Sequence, residues 1–146
     1  MILAGRNQIG LTEQEIEKYV QVWEALCGEK KRELVITQAA THSSQTRFAN
    51  GRVYMGANVK PGHGIEANAR MSVLACLAHE LAHVERDAFP FERPFELPDN
   101  LLDEAETSLH ASFHPLLSRR DREDLVEDAR DRLIQWLAVK QQEVEV

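Results

Sequence analysis

Hydrophobic residues recur at three- and four-residue steps over four stretches of the chain, which predicts four amphipathic helices. The first opens at Leu11-Thr12-Glu13-Gln14-Glu15-Ile16, where Thr12 can cap, Glu15 completes a capping box and Leu11 with Ile16 forms a hydrophobic staple. Ile16, Tyr19, Val20, Trp23, Leu26 and Cys27 line one face, and Gly28 is a natural stop. A second, longer helix is predicted from Ala67 to Ala88, with Val73, Leu74, Leu77, Leu81 and Val84 as its apolar stripe and a stop signal from Asp87 to Pro90. The third starts at Asp99 or Asn100 and ends near His114, before Pro115, with Leu101, Leu102, Ala105, Leu109 and Phe113 turned inward. The last starts at Ser118 with Asp121 at its third position and runs to about Lys140, leaving residues 141–146 as a frayed tail. Val126, Ala129, Leu133, Trp136 and Leu137 give it a packing stripe, and Asp128 with Arg132 makes a favourable pair one turn apart.

Between the first two helices the period changes. Leu34-Val35-Ile36 reads as a buried strand, and Asn50-Gly51 is the signal of a type I′ hairpin turn between residues 45–49 and 52–59. In Arg52 to Gly56 the side chains alternate, with Val53 and Met55 on one face. The fold class expected is α+β, a single domain over residues 1–146. It has a small, partly antiparallel sheet from residues 33–59 packed on the long helix, with three further helices around it. Were residues 52–59 an edge strand bordering a cleft, an extended peptide could add to it through main-chain hydrogen bonds. Lys60-Pro61-Gly62-His63-Gly64 is placed either to cover such a cleft or simply to connect, and Phe91 to Pro98 reads as an ordered loop.

Composition narrows the function classes. With 146 residues the chain can bury a real core, and a net charge of −7 argues against direct nucleic-acid binding, which wants a basic face. Met1 to Gly10 lacks the basic-then-apolar pattern of a signal peptide, and no apolar run approaches the roughly 18 residues of a membrane span. Cys27 and Cys76 each fall inside a helical pattern and read as reduced thiols, which places the protein in the cytoplasm.

The candidate chemistry lies in His79-Glu80-Leu81-Ala82-His83, within the longest helix. Histidines four apart on a helix differ by about 40° around its axis and by roughly 6 Å along it, so both rings can reach one Zn²⁺. Glu80 projects beside them as a general base on a zinc-bound water. The plain alternative is a chance match whose histidines serve packing. A catalytic site with one zinc per chain needs a third protein ligand, and Asp103, Glu104, Glu106, His110 and His114 are the candidates. Periodicity does not choose among them, since Glu104 lies at one edge of the apolar face of its helix and Glu106 with His110 at the other. Acids in a first helical turn also favour the dipole without any ligand role. Four protein ligands (His79, His83, His110 and either Glu104 or Glu106) would instead make the zinc structural and the protein a non-catalytic interaction module. His63 and Tyr54 are secondary candidates for hydrogen bonds to an oxyanion, and Cys76, one turn before His79, reads as core.

His79-Glu80-x-x-His83 followed by a glutamate on the next helix resembles the gluzincin metallopeptidases. Glu104-Ala105-Glu106-Thr107-Ser108-Leu109-His110-Ala111-Ser112 is similar to the Glu-x-x-Ala-Asn-x-Phe-Ala-Ala stretch of the ImmA/IrrE family, with Thr107, Ser108 and His110 replacing Ala, Asn and Phe. The resemblance covers roughly residues 50–115. It implies a minimal zincin-like domain, zinc-dependent peptide-bond hydrolysis, Glu104 as third ligand, and Ser108 where related enzymes carry a residue that steadies a ligand histidine. It further implies a specific protein substrate, often a transcriptional regulator.

Overall fold

Thr12 and Glu15 start helix α1 (Glu13–Cys27) as reciprocal caps, each side chain accepting from the other's backbone N–H at 3.2 Å. Gly28 ends it with φ of 58°, a conformation that only a residue without Cβ adopts cheaply. The computed structural model describes residues 11–28, 33–37, 47–49, 52–56, 66–87 and 98–145, and the following concerns those. Strands β1 (Glu33–Thr37), β2 (Arg47–Ala49) and β3 (Arg52–Gly56) follow α1. Four helical segments complete the chain: α2 (Ala67–Arg70), α3 (Val73–Asp87), α4 (Asp99–Ala111) and α5 (Arg119–Glu145). The class is α+β, and helices dominate it.

The strand order is β1-β3-β2. β2 and β3 pair antiparallel with Ala49 opposite Arg52, which leaves two residues for the connection, as the Asn-Gly signal requires. The principal pairing corrects the expected topology: β1 and β3 run parallel over five residues, from Glu33↔Arg52 to Thr37↔Gly56. β3 is therefore the central strand, hydrogen-bonded on both sides, and cannot be the open edge that would receive a peptide. Leu34 and Ile36 stand beside Val53 and Met55 on the face that joins the core. That core also takes Tyr19, Trp23 and Leu26 from α1 and Met71, Ala75, Leu77, Leu81 and Val84 from the central helical region.

The helix expected over 67–88 is two helices. Met71 is extended, with ψ of 154°, and Ser72 caps α3 by accepting from the Ala75 N–H at 3.1 Å. The Ser72 hydroxyl also donates to Asp121 at 2.6 Å, so the break is tied to the start of α5. Ser118 and Asp121 form the reciprocal cap expected there, at 3.1 and 3.2 Å. Arg70 adds an ion pair to Asp124 at 3.1 Å and another to Glu127. α5 continues through the residues expected to fray, as far as Glu145.

The inward faces of α4 and α5 differ from the apolar stripes of the sequence. Leu109 and Phe113 are exposed, and α4 buries Glu104, Thr107 and Ser108 alongside Leu101, Ala105 and Ala111. On α5, Val126 is 47% and Leu137 57% exposed, whereas Asp121, Asp124, Leu125, Asp128, Ala129 and Arg132 are buried. Asp128 and Arg132, the pair expected one turn apart, do meet at 3.0 Å, and they retain only 1% and 3% exposure. Polar groups on these two faces pair with one another, Ser108 with Asp128 and Arg132 with Glu104, which offsets part of the hydration they lose, while Arg132 Nη2 finds no hydrogen-bond partner among the described residues. Among the described residues no helix is long and apolar enough to cross a membrane.

The Ser72 hinge yields a direct expectation. Ser72→Ala removes the α3 cap and the bond to Asp121 and should lower unfolding free energy by about 1–2 kcal/mol in urea titrations. A change below roughly 0.3 kcal/mol would show that this contact does not fix the start of α3.

Candidate metal centre

α3 carries His79 and His83 on the face turned to α4, and their rings meet edge to face with centroids 4.8 Å apart. α4 brings Glu104 against both. His79 Nε2 lies 2.8 Å from Glu104 Oε2, and His83 Nε2 lies 3.2 Å from Oε1. One carboxylate thus bridges two imidazoles, and the three ligating atoms lie within 4.8 Å of one another. His79 and Glu104 are buried and His83 is partly exposed, so the cluster is open on the His83 side.

The other ring nitrogens are held from behind. Ser108, four residues after Glu104, places Oγ 2.8 Å from His79 Nδ1 and donates its own proton to Asp128 Oδ2 at 2.6 Å. Asp128 in turn accepts from Arg132 Nε at 3.0 and 3.2 Å. Thr107 stands 3.5 Å from His83 Nδ1, donates to the Asp103 carbonyl at 2.8 Å, and accepts from Arg86. With the Ser108 proton committed to Asp128, His79 Nδ1–H is the donor to Ser108, which leaves Nε2 directed at Glu104 Oε2, 2.8 Å away.

The remaining third-ligand candidates are engaged elsewhere. Glu106 and Asp103 pair with Arg86 at 2.7 and 3.0 Å. His110 lies 3.8 Å from Glu85, and His114 Nε2 donates to the Leu26 carbonyl at 2.9 Å, tying the α4–α5 corner to the end of α1. Cys76 belongs to the hydrophobic core. His42 and His63 lie outside the described residues, as do the loops at 60–64 and 91–97, and Tyr54 is described only as backbone in β3. Glu80, in the middle of α3, is 4% exposed, and among the described residues no hydrogen bond or ion pair holds its carboxylate.

Two imidazoles and a carboxylate form a donor set suited to Zn²⁺. Ligand atoms around a tetrahedral ion with 2.0–2.1 Å bonds stand about 3.3–3.4 Å apart. The two nitrogen–carboxylate spacings, 2.8 and 3.2 Å, fall within about 0.6 Å of that range. Electrostatics point the same way. Burial alone would lower His83, but the hydrogen bond and charge of Glu104, with the charges of Glu80 and Asp103, raise it above its ordinary 6.5. Burial alone would raise Glu104, but hydrogen bonds and charge from His79 and His83 bring it well below its ordinary 4.5. The pocket is therefore built around positive charge beside a fixed carboxylate, and a proton or a metal ion can supply it.

Asp128, Arg132 and Thr107 are the site residues that the sequence pattern did not reveal. A signal existed for the first two: residues 121, 125, 128 and 132 follow helical spacing, though only Leu125 among them is apolar. No protein-family model matches the chain, and no curated protein or solved structure shows detectable similarity to it.

The pH dependence of the metal-free protein follows from these shifts. The stability contributed by Glu104 is present above 4.5 and lost as pH falls through its lowered value. That contributed by His83 is fully present below 6.5 and lost as pH rises through its raised value. Both operate between those limits, so Glu104→Gln should lower Tm more at about pH 5.5 than at about pH 8.5. An equal loss at both pH values would contradict the charge pairing.

Proposed function

We propose that the chain is a zinc-dependent metallopeptidase that hydrolyses a peptide bond in a protein or peptide substrate. The observation that carries this reading is the convergence of His79, His83 and Glu104 within 4.8 Å, with Glu80 buried in the intervening turn of α3. His79 Nε2, His83 Nε2 and one Glu104 oxygen would hold one Zn²⁺ per chain. Zinc supplies Lewis-acid polarisation of a carbonyl and lowers the pKa of water toward about 7.

The protein's own groups account for the rest of the chemistry. Ser108 and Thr107 orient the two rings, and Glu104 provides the negative charge that favours a cation. Glu80 accepts a proton from the attacking water and passes it to the leaving amine as the bond breaks. Its position on α3, one residue after His79 and three before His83, puts it beside both candidate ligands.

The competing reading, a closed structural zinc in an interaction module, needs a fourth protein ligand. Among the described residues the cluster has three, and Glu106, His110 and His114 are turned to Arg86, Glu85 and Leu26. That favours an open position and the enzyme. The ImmA/IrrE resemblance adds a regulatory protein as substrate, acted on in the cytoplasm without direct contact to nucleic acid.

Two substitutions test the assignment. Glu80→Gln should keep one zinc per chain and the wild-type Tm while cleavage of a peptide library, read by mass spectrometry, falls at least about 10²-fold. Undiminished cleavage in that variant would rule out Glu80 as the base. Glu104→Ala should weaken zinc binding in chelator competition, and unchanged affinity would remove Glu104 from the ligand set.

A further inference from the structure

The buried Asp128–Arg132 pair has no part in the proposed chemistry and yet ends on the candidate centre. Ser108 Oγ stands between His79 Nδ1, at 2.8 Å, and Asp128 Oδ2, at 2.6 Å. Both carboxylate oxygens of Asp128 lie within 3.2 Å of Arg132 Nε, and Arg132 Nη1 lies 3.9 Å from Glu104 Oε2. α5 thereby reaches two of the three candidate ligands from behind, one through a hydrogen-bond relay and one through charge. A pair so deeply buried is costly, since both ions give up their hydration. A hydrophobic pair would hold α5 against α4 at no such cost.

We propose that Asp128 is a positioning residue that fixes the proton of His79 on Nδ1 by way of Ser108, so that Nε2 presents its lone pair to the metal. The physical chain is short. Arg132 Nε donates to both oxygens of Asp128, and a carboxylate so paired accepts hydrogen bonds. The Ser108 hydroxyl must then donate to Asp128, and its remaining lone pair accepts from the ring. Such outer partners typically alter metal affinity 10–100-fold. The relay deepens the metallopeptidase reading and rests on it for its role in metal binding, while the hydrogen-bond chain itself can be tested without metal.

Asp128→Asn is the informative change. Arg132 Nε would draw the Asn oxygen to itself and leave the Asn NH₂ pointing at Ser108. The hydroxyl would then turn and donate to Nδ1, which drives the ring proton to the ligating nitrogen. Ser108→Ala removes the relay but leaves the Asp128–Arg132 pair intact, so it serves where Asp128→Asn does not fold.

The experiment is a double-mutant cycle read by zinc affinity in chelator competition, with proton NMR of His79 in the chelator-stripped chain. Each single variant should bind zinc 10–100-fold more weakly, and Asp128→Asn should cost nothing further once Ser108 is alanine. Wild type should show a downfield, exchange-protected Nδ1 proton that both variants lose. Additive affinity losses, or persistence of that resonance in either variant, overturn the relay. A wild-type chain that shows the resonance but binds no zinc overturns the metal reading and leaves the relay standing.

Discussion

One buried carboxylate, Glu104, shared between two imidazoles, is the constraint on which the rest of the interior depends. A carboxylate out of water is tolerated only with compensating charge and a full set of hydrogen bonds. His79 and His83 meet it directly, at 2.8 and 3.2 Å, and Arg132 stands behind it. Each of those groups then needs a partner of its own, and the partners are Ser108, Thr107 and Asp128. The polar groups that α4 and α5 bury around the site, Ser108, Thr107, Asp128 and Arg132, follow from that first burial.

The same constraint accounts for how the helices are arranged. α3 has to present both histidines to α4, so its own start is set by Ser72, which is tied to Asp121 at the start of α5. α5 has to deliver Asp128 and Arg132 to the back of the site, and Arg70 and Ser72 hold its first turns against α2 and α3. The sheet and α1 supply the apolar mass on the far side, with Trp23, Val53 and Met55 almost wholly buried. Stability in that half comes from burial, and specificity in the other half comes from satisfied polar contacts.

That division explains what could be read from the sequence. The capping box at Thr12 and Glu15, the Gly28 stop, the alternation of Val53 and Met55 and the Asn-Gly turn spacing all rest on local chemistry, and they recur in the structure. So does the shared face of His79 and His83, which helical geometry alone dictates. The parallel pairing of β1 with β3 is non-local, and nothing in either strand specifies its partner's direction. The stripes assigned to α4 and α5 hold only at Leu101, Ala105 and Ala129, for a related reason. Periodicity finds buried faces by their apolar residues, and here Glu104, Ser108, Asp128 and Arg132 occupy the buried positions while Phe113 and Leu137 face solvent. The choice among Glu104, Glu106 and His110 was open in the sequence because it depends on how α4 is rotated against α3. The packing turns Glu104 inward and leaves Glu106 to Arg86.

The central claim is that the cluster of His79, His83 and Glu104 exists to hold a metal ion. The most direct test is elemental analysis of the purified protein after dialysis without chelator, compared with the His79→Ala/His83→Ala variant. About one zinc per wild-type chain and none in the variant is the predicted result. No zinc in the wild-type protein, even after incubation with added zinc, would contradict it and leave the two histidines and Glu104 as a buried charge network that serves the fold alone.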